Sequence, residues 1–196
     1  MQAYMGSHGT CMSIAQRIEL EGFRTNPGRI GHGAYFWTAL ENDHLALSTH
    51  LAICWAENSR DRFNAYAGQD DQRVAVVQVN VEVEDEEILN LDDPEHHLSL
   101  RQELVQFAVK YFDLDDIFKL TKVQFDKIEK LLYGIVDEYI QLYEAALEGI
   151  KVKLVFKNQH PPVRDKLAAI VGNASCFSVR DTTCILDMRV VPIDGV

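Results

Sequence analysis

Four groups of residues in the first third of the chain have side chains and spacings suited to holding a small polar ligand. His8-Gly9-Thr10 sets an imidazole, a bare backbone and a hydroxyl in a row. A glycine at that point lets a ligand approach the main chain, whose N–H and C=O can both bond a planar amide. Gly28-Arg29-Ile30-Gly31-His32-Gly33 is a flexible loop with one cation, able to embrace a phosphate. It lacks the strand–turn–helix frame of a dinucleotide fingerprint and the lysine of a phosphate-binding loop. Tyr35-Phe36-Trp37 crowds aromatic faces beside that loop, and Trp55 follows about twenty residues on. Each residue also has a plainer reading: His8 satisfied in a loop, Tyr35 and Trp37 in the core, Trp55 on the buried side of a helix.

The elements that must position these residues follow from periodicity. A short strand is expected over residues 5–10, then a helix over 12–20 with Ile14, Ala15 and Ile18 on one face, ended by Gly22. Residues 34–38 read as an aromatic strand. A helix capped by Asn42 or Asp43 is expected through residue 58, with Leu47, Leu51, Cys54 and Trp55 along one side. The clearest strand is 73–84, where Val77, Val79, Val81 and Val83 alternate with Gln78, Asn80, Glu82 and Glu84. A short apolar piece, 88–91, follows the acid run at 84–87. Residues 97–148 read as helical, with Ile128, Leu131, Ile135, Tyr139, Leu142 and Ala146 lining a long amphipathic helix over 122–148. A short helix at 165–171 and two strands, 174–179 and 184–191, close the chain. The expected class is α+β, with residues 1–196 as one domain and 97–148 as a helical insertion or cap.

Composition narrows the function classes. The chain has 196 residues, 47% hydrophobic and 25% charged, the balance of an ordinary globular protein rather than a disordered tail. No apolar run reaches the roughly 20 residues of a membrane span, and no signal-peptide core opens the chain, so a cytoplasmic site without membrane contact is expected. The acidic excess behind the net charge of −11 lies almost wholly in the middle: residues 67–148 carry 20 acidic and 7 basic groups. Such a surface disfavours broad electrostatic binding to nucleic acid, although a local, near-neutral cleft built from the two ends escapes that argument. Cys11, Cys54, Cys176 and Cys184 form no Cys-x-x-Cys pair, and no metal site is expected.

The order of the motifs resembles the diphtheria-toxin-like ADP-ribosyltransferases, the superfamily that includes the poly(ADP-ribose) polymerases. Those proteins carry a His-Gly-Ser/Thr strand, a helix ending in Gly-Phe, a Gly-x-Gly-x-Tyr-Phe loop and a helix with small residues and an aromatic. Here the set reads His8-Gly9-Thr10, Glu21-Gly22-Phe23, Gly31-His32-Gly33-Ala34-Tyr35-Phe36, and Ser48 through Ala52-Ile53-Cys54-Trp55-Ala56. The resemblance spans about residues 4–58, returns weakly at 174–191 and is absent between. It implies a split, mixed β-sheet core that binds NAD as substrate, with no metal. His8 would bond the ribose hydroxyl beside the nicotinamide, while the Gly9 backbone and the Thr10 hydroxyl would hold the carboxamide. Gly33 would line the site, Tyr35 would stack on the nicotinamide ring, Trp55 would clamp the opposite face, and Arg29 would neutralise the pyrophosphate.

The chain departs from that family at the third catalytic position, where Cys176 stands in place of the polymerases' glutamate. A cysteine cannot act as that carboxylate, so single ADP-ribose transfer to a protein, RNA or DNA acceptor is expected rather than chain elongation. A substrate group, or Arg180 and Asp181, would have to supply the missing base. The small chain leans toward a bacterial toxin or defence effector, which would imply a neutralising antitoxin or immunity protein as partner. Two alternatives stay open: an NAD- or ADP-ribose-binding module without turnover, and an acidic protein-interaction domain. Glu82-Val83-Glu84 matches the Glu-x-Glu of the cholera-toxin-like branch by letters alone and reads as a solvated strand face.

Overall fold

The computed structural model describes residues 1–163, 170 and 172–193. It is an α+β fold: seven strands in one mixed sheet, with four α-helices among the described residues. In chain order these are β1 (Gln2–Cys11), α1 (Met12–Glu21), β2 (Ala34–Ala39), α2 (Leu45–Phe63), β3 (Val74–Val83), β4 (Ile88–Asn90), α3 (Pro94–Phe112), α4 (Lys122–Ala146), β5 (Leu154–Gln159), β6 (Ala174–Val179) and β7 (Ile185–Pro192). The strand order is β4-β5-β6-β2-β1-β3-β7, antiparallel throughout except for the parallel β4–β5 pair. The helix expected over residues 165–171 lies outside the described residues, Ile170 apart.

Strand alternation sends side chains to two cores, one on each face of the sheet. On the first face Phe36, Val77, Val79, Val81, Phe177 and Val179 pack with Met12, Ala15 and Ile18 of α1. On the second, Trp37, Val76 and Cys176 pack with Leu51 and Ala52 of α2, Leu100 of α3, and Val136 and Ile140 of α4. The helical middle of the chain is therefore part of the second core and not an appendage. Glu144 ties the end of α4 down, accepting from Lys151 Nζ at 3.0 Å and from the Val152 N–H at 3.1 Å.

Two helix faces differ from those the sequence suggests. In α2 the buried residues are Ser48, Leu51, Ala52, Cys54, Ala56 and Ser59, so Leu51 and Cys54 are buried as expected, while Leu47 and Trp55 are 64% and 51% exposed. The physical reason is close approach: a Cβ on Gly9 would overlap the Ala52 carbonyl, so only small residues fit between α2 and β1. Ser7 Oγ bonds Ser48 Oγ at 2.9 Å across the same contact. No side chain of Asn42 or Asp43 caps α2; a 3-10 turn, Asn42–His44, leads into it instead. In α4 the fully buried positions are Ile128, Val136 and Ile140, whereas Leu131 and Leu142 are exposed. This helix has apolar residues on more than one side, and the sheet selects the stripe that meets it. Strand β5 completes the sheet in a stretch for which periodicity suggested no element.

Gly9→Ala is expected to destabilise the protein by about 1–3 kcal/mol, the usual cost of forcing a methyl into a filled contact. A urea melt that leaves the midpoint unchanged would show that α2 does not press on β1 as described.

Candidate functional site

Strands β1 and β2 pair over only three residues, Met5↔Ala39, Gly6↔Thr38 and Ser7↔Trp37. From His8 on, β1 continues against β3 alone, while Ala34–Trp37 of β2 pair with β6. The sheet thus parts at His8, and the His8 side chain spans the gap: Nδ1 donates to the Tyr35 carbonyl at 2.9 Å. A carbonyl only accepts, so the proton sits on Nδ1 and Nε2 keeps its lone pair. Burial pushes the His8 pKa below the ordinary imidazole value, and the bond to the Tyr35 carbonyl offsets this only partly. The ring stands edge-on to Phe23 and Phe36, with centroids 5.4 and 5.9 Å away.

At this parting lies a cavity of about 260 Å³, whose walls include His8, Phe23, Asn26, Gly33 and Tyr35, with Arg17 and Arg24 at the α1 side. Arg24 is paired with Glu21 at 3.1 Å, whereas Arg17 has no ion pair among the described residues. A larger apolar groove of about 480 Å³ lies at the other end of β1 and β2, among Tyr4, Leu40, Leu47 and Phe156. The smaller cavity is the better candidate because a neutral imidazole, a cation and an aromatic wall converge there.

The loop between α1 and β2 closes over Tyr35. Its hydroxyl donates to the Gly31 carbonyl and accepts from the Ile30 N–H at 3.2 Å. Gly28 lies so close to the phenol that a Cβ would overlap the hydroxyl. Burial raises the Tyr35 pKa well above the ordinary phenol value, so the hydroxyl stays protonated. Gly33 is required for a similar reason, since a Cβ there would overlap Ser178 Oγ, which is fully buried. The loop is in turn held by α4. Arg29 Nη2 donates to Glu129 Oε1 at 2.6 Å, and the His32 N–H donates to Asp137 Oδ1 at 2.6 Å. The Arg29 guanidinium holds the Glu129 carboxyl below its usual range.

Of the residues nominated from sequence, the structure brings His8, Gly33 and Tyr35 to one cavity. Four others sit elsewhere. Gly9 is buried with its bare Cα against α2, so packing accounts for the glycine. Thr10 is buried beside the Tyr66 phenol. Arg29 is occupied by Glu129, which removes the free cation that a pyrophosphate would need. Trp55 is exposed on the outer side of α2 and lines no wall of the cavity. Cys176 lies opposite Trp37 in the β2–β6 ladder, and burial pushes its thiol up to about 12. It is a neutral packing residue, neither a base nor a thiolate nucleophile. Arg17 and Asn26 also line the cavity, and nothing in their spacing separates them in sequence from ordinary surface residues.

Among the described residues no group of His, Cys, Asp or Glu is placed to hold a metal ion, and no helix is long and apolar enough to cross a membrane. The chain matches no protein-family model, no curated protein and no solved structure.

The sign of the pH dependence follows from His8. Below about 6.5, the ordinary imidazole value, the unfolded chain binds a proton that folded His8 still refuses. His8 therefore makes stability fall with pH from about 6.5 down to its own lower value, below which its share of the loss stops growing. In urea melts between pH 7.5 and 5 the wild type should lose more stability than His8→Gln. Equal losses would show that His8 is not held neutral.

Proposed function

We propose that the chain is a mono-ADP-ribosyltransferase: it cleaves the nicotinamide–ribose bond of NAD and passes ADP-ribose to a macromolecular nucleophile. The observation that carries this reading is the His8 bond across the parted strands, which sets the imidazole and Tyr35 at one cavity. These are two positions that the motif resemblance assigns to NAD binding, and a split sheet is the core it implies. At about 260 Å³ the cavity is just below the roughly 300–1,000 Å³ of common ligand pockets. It suits a nicotinamide ring and its sugar, with the rest of the dinucleotide along the mouth.

In this reading Nε2 of neutral His8 accepts a hydrogen bond from a ribose hydroxyl, and Phe23 and Tyr35 confine the ring. The phosphates meet the α1 side, where Arg17 has no ion pair among the described residues, rather than Arg29. Breaking the glycosidic bond leaves an oxocarbenium-like ribose, and the fixed orientation of the sugar favours departure of nicotinamide. The acceptor's nucleophile then forms the new bond, with its proton passing to solvent or to a group on the acceptor. Cys176 takes no part, which agrees with single transfer rather than chain elongation. The acceptor would be a protein, RNA or DNA, and a toxin role with a neutralising partner remains part of the same proposal.

The buried, neutral Cys176 also favours a second reading, an NAD- or ADP-ribose-binding module without turnover. Adenylate-labelled NAD incubated with the protein and cell extract separates the two, with nicotinamide release followed in parallel. The expected result is label in a protease- or nuclease-sensitive product, reduced at least about tenfold in His8→Ala, the effect of losing one good hydrogen bond to the reacting sugar. Cys176→Ser should retain the wild-type rate. Binding of NAD with neither label nor nicotinamide release would establish the module, and absence of binding would remove both readings.

A further inference from the structure

The sheet parting is closed on one side by a loop whose position depends on a residue about a hundred positions away. On α4, residues 129, 133, 137 and 140 fall on one stripe, and that stripe meets the glycine loop. Glu129 holds Arg29, with the Tyr133 hydroxyl donating to the same carboxylate at 2.8 Å. Ile140 packs so closely under Gly31, which has φ +80°, that a side chain there would meet it. Between them, Asp137 Oδ1 accepts from two directions: the His32 N–H at 2.6 Å and Arg180 Nη1 at 3.0 Å.

Those two donors belong to different segments, the glycine loop and the end of β6. His32 lies in the loop whose Ile30 and Gly31 grip the Tyr35 hydroxyl and whose next residue, Gly33, lines the cavity. Arg180 directly follows β6, which carries Ser178 against Gly33, and its own N–H is fixed to the Lys153 carbonyl at 2.8 Å. One carboxylate oxygen therefore joins the loop to the end of the strand it must rest on. Asp137 and Arg180 are largely shielded from water, with side chains 19% and 16% exposed. At that depth the pair is held firmly and is screened less by salt than a surface pair.

We propose that Asp137 is a positioning residue for NAD: it fixes the 28–33 loop, and through it Tyr35 and Gly33, in the arrangement that shapes the His8 cavity. This rests on the transferase or NAD-binding reading above. It makes the helical middle of the chain a working part of the site, acting through ground-state binding and not through the bond-breaking step.

Asp137→Asn keeps an oxygen for the His32 N–H but loses the charge opposite Arg180, whereas Asp137→Ala loses both. Amide hydrogen exchange over residues 30–33 is expected to quicken at least about tenfold in Asp137→Ala, with most of the protection restored in Asp137→Asn. NAD affinity should fall in the same order. Wild-type exchange and wild-type affinity in Asp137→Ala would overturn the proposal, as would a fall in affinity with no change in loop exchange. Should Asp137→Ala fail to fold, Arg180→Gln, which leaves the His32 bond in place, is expected to show the smaller change in both quantities, and no change in either would overturn the proposal. A wild-type protein that binds no NAD would refute the reading beneath it, and the exchange rates would still decide separately whether Asp137 anchors the loop.

Discussion

The parting of β1 from β2 after Ser7 is the constraint on which the rest of the structure depends. Strand β1 is held along its other edge by β3 over ten residue pairs, and β2 is drawn away by β6. Two strands that share three pairs and then diverge leave backbone and side-chain groups facing a gap. Those groups need either hydrogen-bond partners or a ligand. His8 fills part of that need by donating across the gap, and the price is an imidazole kept neutral by its surroundings. Every feature of the cavity follows: its aromatic wall, its small volume, and the loop that must cross its open side.

Glycines make that geometry reachable, though not for the reason their motif suggests. Gly9 is bare because α2 lies against it, and α2 can lie there because Ser48, Ala52, Ala56 and Ser59 form a small-residue stripe. Gly33 is bare because Ser178 lies against it. These are packing demands at the walls of a site, so sequence motif and structural cause coincide in position and differ in mechanism. The same stripe turns Trp55 outward, since a helix face narrow enough to touch β1 cannot also hold an indole.

Charge enters through long-range pairs. Arg29–Glu129 and Arg180–Asp137 link segments 100 and 43 residues apart. Exposed ion pairs contribute little to stability, but these two act on geometry, because each joins a segment at the cavity to one packed helix. The acidic excess in the middle of the chain is consequently not all solvated surface. Glu129, Asp137 and Glu144 are turned toward cations or backbone donors of neighbouring elements.

The motif resemblance implied that His8, Gly33 and Tyr35 share a site; the sequence by itself determined the α+β class, the alternating β3, the first helix and the last two strands. These are local properties, carried by side-chain period and by glycine and aromatic residues close in the chain. The tertiary structure alone decided which stripe of α2 and α4 is buried, since both helices have apolar residues on more than one side and the partner surface makes the choice. It also decided that β5 runs parallel to β4 with paired residues 66 positions apart, a pairing with no local signature. Finally, it decided which cation near the cavity is paired among the described residues. The glycine-rich loop singles out Arg29 in the sequence, and only the arrival of Glu129 from a distant helix shows that cation to be paired.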